Sequence, residues 1–116
     1  MTAVTLKGLD ALMRRFEGRG LAPAVETTLR REAEAIAAEA AENAPGRLGE
    51  TIEITKESGG ETPAFTVGTR HRAGWFLEHG TVRRPATPWL GPVFRARLPR
   101  VKQALTNTLR AALAKP

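Results

Sequence analysis

The residues whose types could move a proton are Glu78 and His79, adjacent in the chain, with His71 upstream. A carboxylate beside an imidazole is the composition of a general acid–base pair. Adjacent side chains need not face each other, however, and no nucleophile pattern accompanies them. The chain has no cysteine, so thiolate chemistry, disulfides and thiolate metal sites are excluded. His71, Glu78 and His79 would give a metal at most three ligands, in no recognised spacing. Gly59-Gly60 falls in a hairpin turn rather than at the start of a helix, where it could cradle a phosphate. These residues predict a polar pair at a turn, no catalytic group, no metal and no cofactor; the chain is not expected to be an enzyme.

The arginines are the other chemistry-bearing set. Residues 1–69 carry eight Lys/Arg against eleven Asp/Glu, and residues 70–116 carry ten against the single acid Glu78. The halves therefore differ in sign, −3 and +9, within a net charge of +6. Such a bipolar chain suits either a basic face on nucleic acid or copies stacked acidic face to basic face. A nucleic-acid role would use Arg70, Arg72, Arg83, Arg84, Arg95, Arg97 and Arg100 for salt-sensitive phosphate contacts. Trp75, Phe76 and Trp89 lie beside them and could stack on bases. With four Phe, two Trp and no Tyr in 116 residues, the core is expected to claim these rings instead. Trp75 and Trp89, with Leu90 and Phe94, are accordingly expected to anchor the fold. No helix-turn-helix, RNA-recognition or oligonucleotide-fold signature accompanies the basic residues.

The elements that must hold these residues follow from periodicity. The length predicts one domain, residues 1–116, with a modest core. Val4 and Leu6 flank Thr5 as a short strand or arm. Leu9, Leu12, Met13 and Phe16 share a helical face, which Gly18 and Gly20 end. Pro23 suits the first turn of a second helix. Its narrow stripe runs through Val25, Leu29, Ala33, Ile36, Ala37 and Ala40, and its many alanines require a close-packed partner for stability. Asn43-Ala44-Pro45-Gly46 ends it. Thr51–Lys56 and Ala64–Gly68 alternate, and are expected to pair as an antiparallel hairpin with its tip at Gly59 and Gly60. Ala73–His79 reads as a third strand or a short helix. After Pro92, Leu98, Val101, Leu105 and Leu109 keep a helical spacing, which Pro99 is expected to kink or restart. No apolar run reaches membrane-spanning length and the N-terminus has no signal-peptide character, so a soluble, non-secreted chain is expected.

Leu77–Phe94, reading LEHGTVRRPATPWLGPVF, concentrates Pro85, Pro88, Pro92, Gly80 and Gly91 around Arg83 and Arg84. Proline fixes φ and removes a donor, so the segment is expected to be a stiff loop that presents its arginines. Trp89 and Leu90 would plant its end in the core. Glu78-His79-Gly80-Thr81, Arg83-Arg84-Pro85-Ala86 and Pro88-Trp89-Leu90 with Pro92 together resemble the E-x-G-T … x-P-A-x-P-[FW]-L-x-P segment of the gene-product-ten-like neck and tail-completion proteins of lambda-like long-tailed phages. A second stretch, Ala44-Pro45-Gly46-Arg47-Leu48-Gly49, is similar to that family's A-P-x-R-T-G-x-L pattern but runs shorter before the strand. The loop here must be tighter, and Arg47 is assigned no role beyond anchoring it.

The resemblance implies an α+β fold: two N-terminal helices, a small antiparallel sheet with a β-hairpin, a long proline-rich loop, and a C-terminal helix packed on the sheet. It implies a non-enzymatic virion protein of the neck or tail, assembled in the host cytoplasm. Its partners would be copies of itself in a ring, adjoining portal-side and tail-tube proteins, and DNA passing through the channel without sequence specificity; no membrane is implied. Arg70, Arg72, Arg83, Arg84, Pro85, Gly59 and Gly60 are the expected interface residues. The alternative is a small basic nucleic-acid-binding protein that uses the arginine-rich C-terminal half.

Overall fold

The computed structural model describes residues 2–7, 21–57 and 63–114. In chain order these form strand β1 (Thr2–Lys7), helix α1 (Leu21–Asn43), a 3₁₀ turn (Leu48–Thr51), strands β2 (Glu53–Glu57) and β3 (Ala64–Thr69), and helices α2 (Arg72–His79) and α3 (Gly91–Ala114). The fold is α+β, with three helices and one three-stranded antiparallel sheet among the described residues.

The sheet order is β1-β3-β2. Val67 lies opposite both Val4 and Ile54, and Phe65 opposite Leu6 and Lys56. Because side chains alternate along a strand, these residues share one face, and α1 packs against it. Phe65 and Val67 are fully buried there. Lys56 is on the same face but at the edge, where it forms an ion pair with Glu26 of α1. The other face carries Thr5, Thr66 and Thr55 in register, and Thr5 and Thr66 share a hydroxyl hydrogen bond of 3.2 Å. Thr5 and Thr55 at the edges of that face are exposed, while Thr66 between them is buried. The expected pairing of the second and third strands is present. The N-terminal segment is a true edge strand rather than an arm.

Helix α1 carries the stripe that its periodicity predicts. Val25, Leu29, Ala33, Ile36 and Ala40 are all buried, four of them completely. Ala33 and Ala40 allow α3 and the sheet to approach closely, while Leu29 and Ile36 contribute most of the apolar burial, roughly 1.5–3 kcal/mol each. Helix α3 lies along α1 and antiparallel to it. Thr28 near the start of α1 bonds Thr108 near the end of α3 at 2.5 Å, and Arg97 near the start of α3 reaches Glu32 and Glu39. The expectation that the C-terminal helix packs on the sheet is corrected here. Its principal partner is α1, because Val101, Leu105 and Leu109 match the small-residue stripe of that helix.

Pro99 sits inside α3, which continues as one helix from Gly91 to Ala114 rather than restarting. Proline has no N–H, so the Arg95 carbonyl loses its usual partner, but Pro99 is exposed and water can satisfy that oxygen. The expected helix over Leu9–Phe16 and the hairpin tip at Gly59 and Gly60 lie outside the described residues. Among those described, no helix is long and apolar enough to cross a membrane.

Candidate interaction surface

The surface is built on α2 and on the segment Gly80–Leu90, which has no helix or strand of its own. Two buried ties fix that segment. Trp89 is fully buried, and its indole N–H donates to the Gly74 carbonyl of α2 at 3.1 Å. Glu78, near the end of α2, accepts the backbone N–H groups of Trp89, Leu90 and Gly91 at 2.9, 3.0 and 2.8 Å. Those are orphan donors at the start of α3, so Glu78 caps that helix from a distance, where its charge also complements the helix dipole. Partial burial pushes the Glu78 carboxyl up, but the three N–H donors and the neighbouring His79 outweigh it and hold the group below its ordinary value.

Glycine is required at two places along this path. At Gly74 a Cβ would stand 2.4 Å from the Thr69 side chain and 3.4 Å from the Trp89 ring, so α2 could not seat on the sheet end. Gly80 ends α2 with φ of 80°, and a Cβ there would meet the Ala86 nitrogen at 2.8 Å. Beyond it, Thr81 and Arg84 exchange backbone hydrogen bonds of 2.8 and 3.3 Å, and Thr87 donates to the Leu77 carbonyl at 2.7 Å. The excursion is thus tied to α2 at both ends and closed across its middle. Val82, Arg83, Arg84 and Pro85 project from it into solvent.

The sequence-predicted residues divide clearly. Trp89 and Leu90 are buried anchors, and Phe94 is partly buried against the same core. Trp75 is not an anchor: it is 53% exposed, with its ring 4.1 Å from that of His79. Phe76 is 48% exposed beside it. The reason is geometric. Helix α2 touches the sheet end through Gly74, and the positions that follow Gly74 turn outward. Phe76, Leu77, Arg84 and Pro85 line a shallow groove of about 280 Å³ between α2 and the excursion. Arg84 lines this groove, and Arg72 and Arg83 lie on the elements that form it; all three are exposed and in no ion pair among the described residues. Arg70 is exposed just before α2.

The acid–base candidates are occupied structurally. His71 caps α2, its Nδ1 accepting from the Ala73 N–H at 3.1 Å. His79 packs on Trp75, and Glu78 holds α3. Among the described residues no group of three or more His, Cys, Asp or Glu is placed to hold a metal. The role of Glu78 was missed from sequence because its partners are eleven to thirteen positions away, far beyond a capping-box spacing.

Arg97 also leaves the set of candidate phosphate contacts. Its guanidinium is only 15% exposed and lies between Glu32 and Glu39 of α1. Arg97→Ala is expected to destabilise the α1–α3 pair by about 1–2 kcal/mol, because it leaves two carboxylates without their cation while Glu39 stays partly solvated. Urea titration checks this, and an unchanged midpoint would show that the clamp contributes nothing. Compared with protein-family models, curated proteins and solved structures, the chain matches none.

Proposed function

We propose that this chain is a non-enzymatic structural component of a phage or prophage-derived particle, part of the head–tail connector or the top of the tail. In this reading several copies form a ring that completes the tail or joins it to the head. The proline-containing excursion and the hairpin tip would contact neighbouring copies or adjoining rings, and the particle would be assembled in the host cytoplasm. The resemblance of the Glu78–Pro92 segment brings the family to mind. The observation that carries the reading is mechanical: Arg83 and Arg84 stand on a backbone tied down by Trp89 and Glu78. A pre-ordered projection costs little entropy on docking, as a component that must add to a growing particle requires. A ring needs one surface to meet a different surface on the next copy, and the opposite charge of the two chain halves fits that need.

A second reading, a non-specific nucleic-acid binder, is favoured by the exposure of Trp75 and Phe76 beside Arg72. The two separate by experiment. Reversing Arg83 and Arg84 to Glu is expected to lower the yield of joined particles by roughly tenfold or more, since two repulsive charges then face the docking partner. Undiminished yield would count against the projection. For the purified chain, tight duplex binding with a steep salt slope would favour the nucleic-acid reading instead.

A further inference from the structure

We infer that the groove beside α2, lined by Phe76, together with the exposed Trp75 of the same helix and Val82 at the tip of the excursion, docks onto the outer, acidic edge of strand β2 in a second copy of this chain. The inference deepens the ring reading above and rests on it, by naming the two surfaces that would meet.

Three observations converge. First, the α2 side exposes large apolar groups that its own fold leaves uncovered. Trp75 and Phe76 are about half exposed and Val82 fully so, whereas Phe65 and Trp89 are completely buried. A cluster of Trp, Phe and Arg is the composition of an interface hot spot rather than of a solvated surface. Second, the charges carried by α2 and the excursion are positive apart from Glu78, which α3 consumes: Arg72, Arg83 and Arg84 have no ion-pair partner among the described residues. The occupant must therefore be acidic. Third, the chain itself carries a matching surface. Strand β2 is at the edge of the sheet among the described residues, and Glu53 and Glu57 stand on the face opposite α1 with Thr55 between them. All three are exposed. The neighbouring positions on that face, Ala64, Thr66 and Gly68, are buried, and the Thr66 hydroxyl donates to Glu57 at 2.6 Å, which fixes one acid of the exposed row in place.

The two surfaces are different, so the contact is head-to-tail. It repeats from copy to copy and closes into a ring if the rotation permits. Within one copy the basic patch is built by α2 and the acidic row by β2, so neither satisfies the other through any described ion pair.

The absence of cysteine gives a clean test. Val82→Cys and Thr55→Cys are made separately in the full chain, mixed at high concentration and low salt, and treated with a mild oxidant. The expected result is a mixed V82C–T55C dimer in several-fold excess over either homodimer. That excess should disappear in Trp75→Ala/Phe76→Ala, and should fall with added salt. It should return when Arg83→Glu/Arg84→Glu is paired with Glu53→Arg/Glu57→Arg, although either charge reversal alone suppresses it. Circular dichroism of each variant establishes that it is folded, and the charge-reversal pair keeps the test decisive if the alanine variant is not. Random proportions of the three dimers, or a dominant V82C–V82C dimer, would overturn the inference. So would protection of V82C by a DNA duplex with no mixed dimer in its absence, which would assign the patch to nucleic acid. A mixed dimer without any loss of particle joining in R83E/R84E would retain this interface and reject the neck reading. Lost joining without the mixed dimer would do the reverse.

Discussion

Trp89→Ala is expected to lower folding stability by about 3–5 kcal/mol, the cost typical of emptying a fully buried aromatic site. For a chain of this size that corresponds to a fall in Tm of roughly 12–20 °C. Two losses combine. The indole leaves a cavity in the core beside Gly74 of α2, and the Gly74 carbonyl loses its donor. Trp89→Phe largely separates them, since it removes the N–H while a phenyl ring still fills most of the apolar volume. It is expected to cost about 1–2 kcal/mol. Thermal denaturation followed by circular dichroism measures both. Fluorescence supplies an independent check. In Trp75→Phe the remaining indole, Trp89, should emit at short wavelength and resist acrylamide. In Trp89→Phe the remaining Trp75 should emit at long wavelength and quench readily. Equal quenching of the two would contradict the burial on which the projection depends.

Glu78→Ala is expected to cost about 2–4 kcal/mol, although the substitution is small and the residue is only partly buried. It strands three N–H groups at the start of α3 that have no other acceptor among the described residues. Bonds to a charged acceptor are worth more than neutral ones, about 1.5–3 kcal/mol each before non-additivity and water reduce the sum. Glu78→Gln should lose less, because one carbonyl oxygen can still accept. The effect also has a pH signature. The folded carboxyl lies below its unfolded value of 4.5, so the folded state binds the proton less well. Its contribution is complete above that value and is lost as pH falls from there through the folded pKa. Wild type should therefore lose stability on acidification through that window more steeply than Glu78→Gln. Identical slopes, measured by urea titration at a series of pH values, would remove Glu78 from its role as the cap of α3.

Both effects concern the same device. Trp89 and Glu78 tie Gly80–Leu90 to α2 on one side and to α3 on the other, and the arginines ride on the result. If either tie is cut, the charges of Arg83 and Arg84 remain but their placement does not. A variant such as Glu78→Gln should then weaken docking through slower, less oriented encounter, even at temperatures where it is fully folded.

Much of the frame was legible in the residues alone. The α1 stripe, the pairing of β2 with β3 and the helical spacing after Pro92 are local periodicities, and a period survives whatever packs against it. Burial of Trp89 and Leu90 was legible as well, because the chain has few large rings with which to fill a core. What the residues could not show is which partner each face would meet. The same apolar stripe on α3 would suit a sheet or a helix, and only the assembled fold places it on α1. Trp75 and Trp89 are identical side chains in similar basic surroundings, yet one is buried and the other is outside. The difference is set by Gly74, which seats α2 on the sheet end and so aims the next turn outward. Glu78 likewise read as half of a polar pair at a turn, since its three partners are remote in sequence and adjacent only in space. Composition and spacing therefore determined the elements and the charge polarity. Tertiary packing decided which aromatic residues face solvent, because exposure is a property of neighbours rather than of residue type.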